Sequence, residues 1–518
     1  MKYLNLIGLL AGILTSSSFA TEVSTPTPDH SLWLQQQPGF FRFSYDSIKM
    51  PYNISSMGLT GINYFADFTP NIYGGVGAYG AMTGSQGGFF TLGVGAGLHH
   101  TFPHHLVADL GMFVGGGGGR SSYVGGGLML RPHVGIAYDF QWAQLGLHYS
   151  YIDFPTGKIH SQQVGVNLDI PFDFYYVRPQ DVGHALFHFD DIHLFNGKFL
   201  QVQRNDFGLL LQAYRQNKGT RNVNGVIQDG TIGLVGAELD HYLTKNIFWS
   251  FKAGGAFRGV PNGYMDVLAG AGYHWPLGSY GFALVPQLQV GAGGGGNVNT
   301  GGGVILLPQL GIEWPMTKHF SGRLSSGYLW APQGQLKAAT LTAEVFYHLD
   351  MGTGSSTPAD FVSNYSVQNW RIQLLNQTYL APQRTFTATT PSINLIAVQV
   401  DQLFTPYFFF SYQAASAYNG LHAGGYATGM IGPGIQTSTL LGHRVQPFAE
   451  LLVGAGGGGG LALSGGSLIE PVVGLRYLFT PSVGVQASVG QVKALQNNLN
   501  TSVINLGLTI NFGSLQSF

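Results

Sequence analysis

The stretch "LHYSYIDFPTGKIHSQ", Leu147 to Gln162, holds the pair of side chains best placed for covalent chemistry. His148 and Ser150 are two residues apart. On a β-strand that spacing puts both on one face, within reach of a hydrogen bond. A serine hydroxyl beside an imidazole is the minimal arrangement for nucleophilic attack on an ester, with histidine as general base. The same pair also suits a plainer role, as polar filling inside a β-barrel. A second cluster, "HHTFPHH", carries His99, His100, His104 and His105. Imidazoles at such density suit zinc. Here a proline interrupts them, and the nearest carboxylate is Asp109. A polar turn is the better account, so no metal and no cofactor is expected.

The elements that would position these groups are strands. Charged residues make up only 9% of the chain, against roughly 25% in soluble domains. Glycine contributes 78 of 518 residues. A net charge of −1 gives no footprint for nucleic acid. No stretch after the first twenty residues is apolar for long enough to form a membrane helix. From Phe89 to His99 the apolar residues Phe90, Leu92, Val94, Ala96 and Leu98 alternate with glycine, threonine and histidine. Such alternation, in a chain poor in charge, indicates an all-β transmembrane antiparallel barrel. Trp142, Trp249, Trp275, Trp314 and Trp330 fall near expected strand ends, as interfacial girdles do.

Residues 1–20 read as a cleaved signal peptide. Lys2 is followed by an apolar core, Leu6–Leu14, and by "SFA" at Ser18–Ala20. No cysteine occurs anywhere, which removes disulfides and a lipoprotein anchor. The expected location is the outer membrane of a Gram-negative bacterium.

Three glycine clusters reveal a repeat: "FVGGGGG" from Phe113, "QVGAGGGG" from Gln289 and "LVGAGGGGG" from Leu452. Val114, Val290 and Val453 precede Pro132, Pro308 and Pro471 by 18 positions each. The prolines open "PHVGIAY", "PQLGIEW" and "PVVGLRY". Equal spacing in three copies indicates a triplicated unit, offset by 176 and then 163 residues. Each unit parses into about eight strands, beginning in the first near Phe40, Met57, Ile72, Gly88, His105, Gly126, Ala143 and Ser161. The glycine cluster is then the loop between the fifth and sixth strands, on the outer side if the termini are periplasmic. No Lys-Ser/Thr follows it, so it is not a phosphate loop.

The expected segments are a periplasmic stretch at 21–38, repeats at 39–172, 199–349 and 369–518, and linkers at 173–198 and 350–368. Two assemblies fit: three eight-stranded barrels in tandem, or one barrel of about 24 strands, roughly 45–50 Å across. A wide watery lumen should want many charges, so their scarcity favours small barrels. Merging all strands into one ring would avoid unpaired edges equally well.

Two resemblances add to this. Asn505, Gly507, Ile510 and Phe512 resemble the C-terminal signal read by the barrel assembly machinery, although six residues follow, ending at Phe518. Around His148 and Ser150 the first unit resembles the outer-membrane lipid A 3-O-deacylases, an acyloxyacyl hydrolase-like family of eight-stranded barrels. The resemblance implies serine as nucleophile, histidine as base and a glutamate that orients the histidine. It implies ester hydrolysis on lipopolysaccharide. Gln162 stands where the orienting glutamate is expected, and Tyr151 replaces an asparagine of the motif. The pair is missing from the other units, where Leu324 or Ser325 and Ala487 align with the histidine. The leading expectation is therefore a structural or pore-forming barrel in contact with outer-membrane lipids and lipopolysaccharide. A lipid A hydrolase with a degenerate site is the alternative.

Overall fold

The computed structural model describes residues 32–119, 121–179, 187–188, 192–194, 199–259, 263–278, 281–349, 351–355, 364–385, 391–442, 444–496 and 498–517. The expected signal peptide, and all of the 21–38 segment before Leu32, lie outside them. Ahead of the first barrel stands β1 (Leu32–Gln37). The barrel itself runs through β2 (Gly39–Ile48), β3 (Met57–Thr69), β4 (Ile72–Thr83), β5 (Phe90–Phe102), β6 (Leu106–Gly118), β7 (Met129–Asp139), β8 (Gln144–Asp153) and β9 (His160–Pro171). It closes where β2 pairs antiparallel with β9, with Phe43 opposite Leu168.

Three short strands follow: β10 (Phe174–Tyr176), β11 (Phe187–His188) and β12 (Ile192–Leu194). After β13 (Phe199–Gln203) comes the second barrel, with β14 (Asn205–Gln216), β15 (Thr231–Tyr242), β16 (Ile247–Arg258) and β17 (Met265–Tyr273). The short β18 (Trp275–Leu277) leads into β19 (Phe282–Gly294), β20 (Val304–Pro315), β21 (Phe320–Trp330) and β22 (Lys337–His348). The pairings of β14 with β22 and of β17 with β19 close it as eight strands. Past β23 (Met351–Ser355), the third barrel contains β24 (Asn364–Tyr379), β25 (Ile393–Leu403), β26 (Phe408–Asn419), β27 (Ala427–Gln436), β28 (Val445–Gly457), β29 (Ser467–Leu478), β30 (Val483–Ala494) and β31 (Asn500–Ser517). It closes between β24 and β31. Three closed barrels of eight strands thus form, and the single ring of about 24 strands does not.

Within the stretches expected as linkers, the described residues include paired strands. β1 pairs with β10 and, in parallel, with β12, while β13 pairs with β23. Residues 199–203 therefore belong to this arrangement, and the second barrel starts at Asn205. Leu32, Leu34, Tyr175, Val177, Tyr365 and Leu515 bury one another in a hub beneath the third barrel. The residues beyond Phe512 have a job here. Gly513 exchanges both backbone hydrogen bonds with Val177, at 2.7 and 2.8 Å, and Leu515 enters the hub core.

Each barrel alternates cleanly. In β8, Leu145, Leu147 and Tyr149 are exposed, while His148, Ser150 and Ile152 are buried. The interiors have three layers. At the glycine-cluster end lies an apolar cap, such as Met57, Tyr79, Phe113 and Phe154 in the first barrel. The middle is ionic. The opposite end is aromatic, with Phe40, Phe65 and Tyr73 packed together. The other two barrels repeat the caps with Tyr214, Leu234 and Ile305, and with Tyr379, Tyr426 and Leu452.

The barrels touch in a cycle. The turn between the third and fourth strands of each meets the glycine cluster of the next. A Cβ built on Gly80 of β4 would lie 3.4 Å from the Cβ of Ala292 in the second barrel. Likewise, a Cβ on Gly255 of β16 would lie 3.4 Å from that of Ala455 in the third. The ring closes where a Cβ on Gly116 of the first barrel would meet Ser416 O of the third at 2.7 Å. Backbone bonds cross two of these contacts, Gly87 N to Gly301 O and Gly424 N to Gly125 O, both 2.9 Å. Glycine is needed for this approach. Gly88 has φ +85, and a Cβ there would sit 2.2 Å from Gly295 N. Any side chain would hold the barrels apart.

Candidate functional site

His148 and Ser150 lie on β8 and both point into the first barrel, because alternate residues of a strand share a face. They meet through a third residue. Ser150 Oγ donates to Asp46 Oδ1 at 2.8 Å, and His148 Nε2 lies 2.9 Å from that same oxygen. Asp46 comes from β2, 104 positions from Ser150 in the chain. It also takes the Arg131 guanidinium on Oδ2, from Nε at 3.0 Å and Nη2 at 2.8 Å. Arg131 Nη2 reaches His148 Nε2 as well, at 2.7 Å. One ring nitrogen cannot accept from arginine and donate to a carboxylate at once. Either way, the nitrogen nearest the serine side is occupied. Among the described residues, no hydrogen bond joins His148 to Ser150.

Gln162 does not join them, and expecting it to orient His148 was an error of parity. Strand β9 pairs Ser150 with Gln163 and Tyr151 with Gln162. Gln162 therefore faces outward and is exposed. Its neighbour Gln163 faces inward, and its Nε2 donates to Ser150 Oγ at 2.8 Å. Ser150 is 0% exposed and His148 4%. Sequence reading missed Asp46 because its partners come together only when the barrel closes. The signal was present, since an aspartate on the inward parity of a strand, in step with Phe40, Arg42, Ser44 and Ile48, must find a partner inside the barrel.

Below this group, Arg42 grips two carboxylates. It reaches Asp169 at 2.8 and 2.7 Å and Asp109 at 3.0 and 3.2 Å. His133 Nε2 stands 2.6 Å from Asp109 Oδ1. A void of about 10 Å³ beside Arg42, Asp109 and Asp169 is the size of one water. The second barrel centres on Arg323, 2.8 Å from both Asp240 and Glu313. In the third, Asp401 binds Arg371 at 2.9 Å and Arg476 at 3.5 Å. Each middle layer is thus a buried set of charges built around arginine–carboxylate pairs, although Lys252 and Glu344 in the second barrel and Glu470 in the third make no side-chain hydrogen bond among the described residues.

The histidine cluster is a turn. Pro103–His105 form the tight turn between β5 and β6, with His104 and His105 in left-handed backbone. His99 is 3.6 Å from Asp67, and His100 pairs with Asn71. Among the described residues, no three histidine, aspartate or glutamate side chains are grouped to hold a metal.

No family model and no curated protein matches this sequence. Among solved structures, it aligns with OpdQ of Pseudomonas aeruginosa at 10% identity and TM-score 0.21, over 93% of this chain and 98% of that one. It aligns with OccK8 (OprE) of the same organism at 9% identity and TM-score 0.22, covering 92% and 98%. The FrpB iron transporter from Neisseria meningitidis gives 9% and 0.26, covering 92% and 81%. Superposition at this level carries no inference about activity. The class to which the chain belongs is defined by its own strand pairing: three closed eight-stranded antiparallel barrels in one polypeptide.

Proposed function

We propose that the chain is an integral outer-membrane β-barrel protein with a structural or transport role, and that its three barrels act as a filled scaffold. One observation carries this reading. Each wall is apolar outside, as at Leu110, Ile136, Leu147 and Val164 in the first barrel, and each lumen is filled by buried charged and polar side chains between two apolar clusters. A wall of that kind suits lipid. Trp142, Trp249, Trp275 and Trp330 are exposed near strand ends, as at a membrane interface. Outer-membrane lipids, lipopolysaccharide and the assembly machinery would be its surroundings.

Two measurements test this. In a planar bilayer, the folded protein should show no large stable conductance steps. Steps like those of an open porin would overturn the filled-scaffold reading and favour transport through the lumens. His148 and Ser150 are read here as part of the filling, since the serine donates to Asp46 and has no surface. Ser150→Ala should leave lipid A acylation unchanged by mass spectrometry. Loss of an acyl chain with the wild type, but not with this variant, would establish the hydrolase instead.

A further inference from the structure

Outside all three lumens, a cavity of about 370 Å³ opens between the first and third barrels. That volume falls in the range of small-molecule sites. Val114 and Leu128 form one wall; Leu374, Ile396, Leu506 and Leu508 form the other. Apart from Leu128, which precedes β7, these are outward residues of their strands, in the half nearer the glycine cluster. The cavity continues the contact already described, since Gly115 lines it and Gly116 touches Ser416.

One edge is polar, which is unusual for a lipid-facing surface. Asn376 and Tyr418 line the cavity, and the tyrosine hydroxyl donates to Asn376 Oδ1 at 2.7 Å. Asn376 Nδ2 donates to Thr378 Oγ1 at 3.2 Å, and Thr378 in turn donates to Asn394 Oδ1 at 2.8 Å. All four are partly buried. The second hydrogen on Asn376 Nδ2 remains to serve an acceptor. No charged side chain lines the cavity.

We infer that this cavity holds one ester-linked acyl chain of a membrane lipid, with its carbonyl at Asn376. The inference rests on the membrane reading above. Apolar walls match the hydrocarbon, and a neutral donor at one end matches a carbonyl. The lack of lysine or arginine argues against capture through a phosphate. Shape and chemistry together select an amphiphile rather than a free anion or a peptide.

The test uses the full chain, stripped of lipid in detergent and titrated with palmitoyl-oleoyl phosphatidylethanolamine under native mass spectrometry. Wild type should gain one adduct saturably. Ile396→Trp and Leu508→Trp, which fill the cavity, should lose that adduct while keeping heat-modifiable electrophoretic mobility, the mark of a closed barrel. Leu475→Trp, on the exposed face of β29, should keep it. Asn376→Ala should weaken it. Adducts that accumulate without saturating, alike in all variants, would mean nonspecific lipid contact and overturn the inference. Release of the chain from membranes by carbonate washing would instead overturn the membrane reading, whatever the titration gives.

Discussion

Asp46 ties the expected site together: Arg131, His148 and Ser150 all turn to it. Removing one member of a buried ionic set leaves the others uncompensated, at a cost of about 3–5 kcal/mol. Removing a neutral hydroxyl costs less, about 1–3 kcal/mol where a partner stays unsatisfied. Asp46→Ala should therefore loosen the first barrel far more than Ser150→Ala. Hydrogen exchange followed by mass spectrometry, strand by strand, separates the two. Equal effects would mean that Asp46 is not the keystone of the filling. His148 and Ser150 were legible in sequence because a period of two is local. Asp46 was not, because strand closure brings it there from the far side of the barrel. The repeats also hide their interiors. At the position five past the shared proline stand Ala137, Glu313 and Arg476, so each barrel solved its charge balance separately.

At the scale of elements, the strands were readable to within a few residues, since alternation and turn residues mark them. Strands expected from Met57 and Ile72 start there, and those expected near Gly88 and Gly126 start at Phe90 and Met129. The short strands of the hub were not readable. Three-residue strands such as β10 and β12 lack enough length to show a period, and their partners are far away in sequence. The hub gives the last residues of β31 a role distinct from barrel closure. Leu515→Ala should cost the hub about 2–5 kcal/mol. Exchange should then rise in 174–177 and 199–203 but not in β25–β30. A collapse of the third barrel instead would show that the two are one cooperative unit.

For the whole molecule, charge scarcity pointed correctly to small filled barrels, since each lumen holds only a handful of charges. How the barrels meet was not legible, although the glycine clusters that make the contacts were. With no native cysteine, the ring can be probed cleanly. The separation of 3.4 Å between a Cβ at position 80 and that of Ala292 is close to disulfide geometry. Gly80→Cys with Ala292→Cys should link on oxidation, as should Gly255→Cys with Ala455→Cys. Gly80→Cys with Ala455→Cys should not. Peptide mapping reads the outcome, and linkage in the mismatched pair alone would refute the order of contacts.

The cyclic contact has a further consequence in terms of valency. Each barrel offers one donor face and one acceptor face, and in the intact chain all six are used. A head-to-tail interface that closes on itself ends growth; one that does not close propagates. Excising a single repeat would leave one unmatched face of each kind on the same molecule. Because each contact turns by the angle that closes the ring at three, such a chain would no longer be a finished unit and would have to complete its ring with a barrel from another molecule. Triplication within one polypeptide thus fixes the number of barrels at the value where association stops.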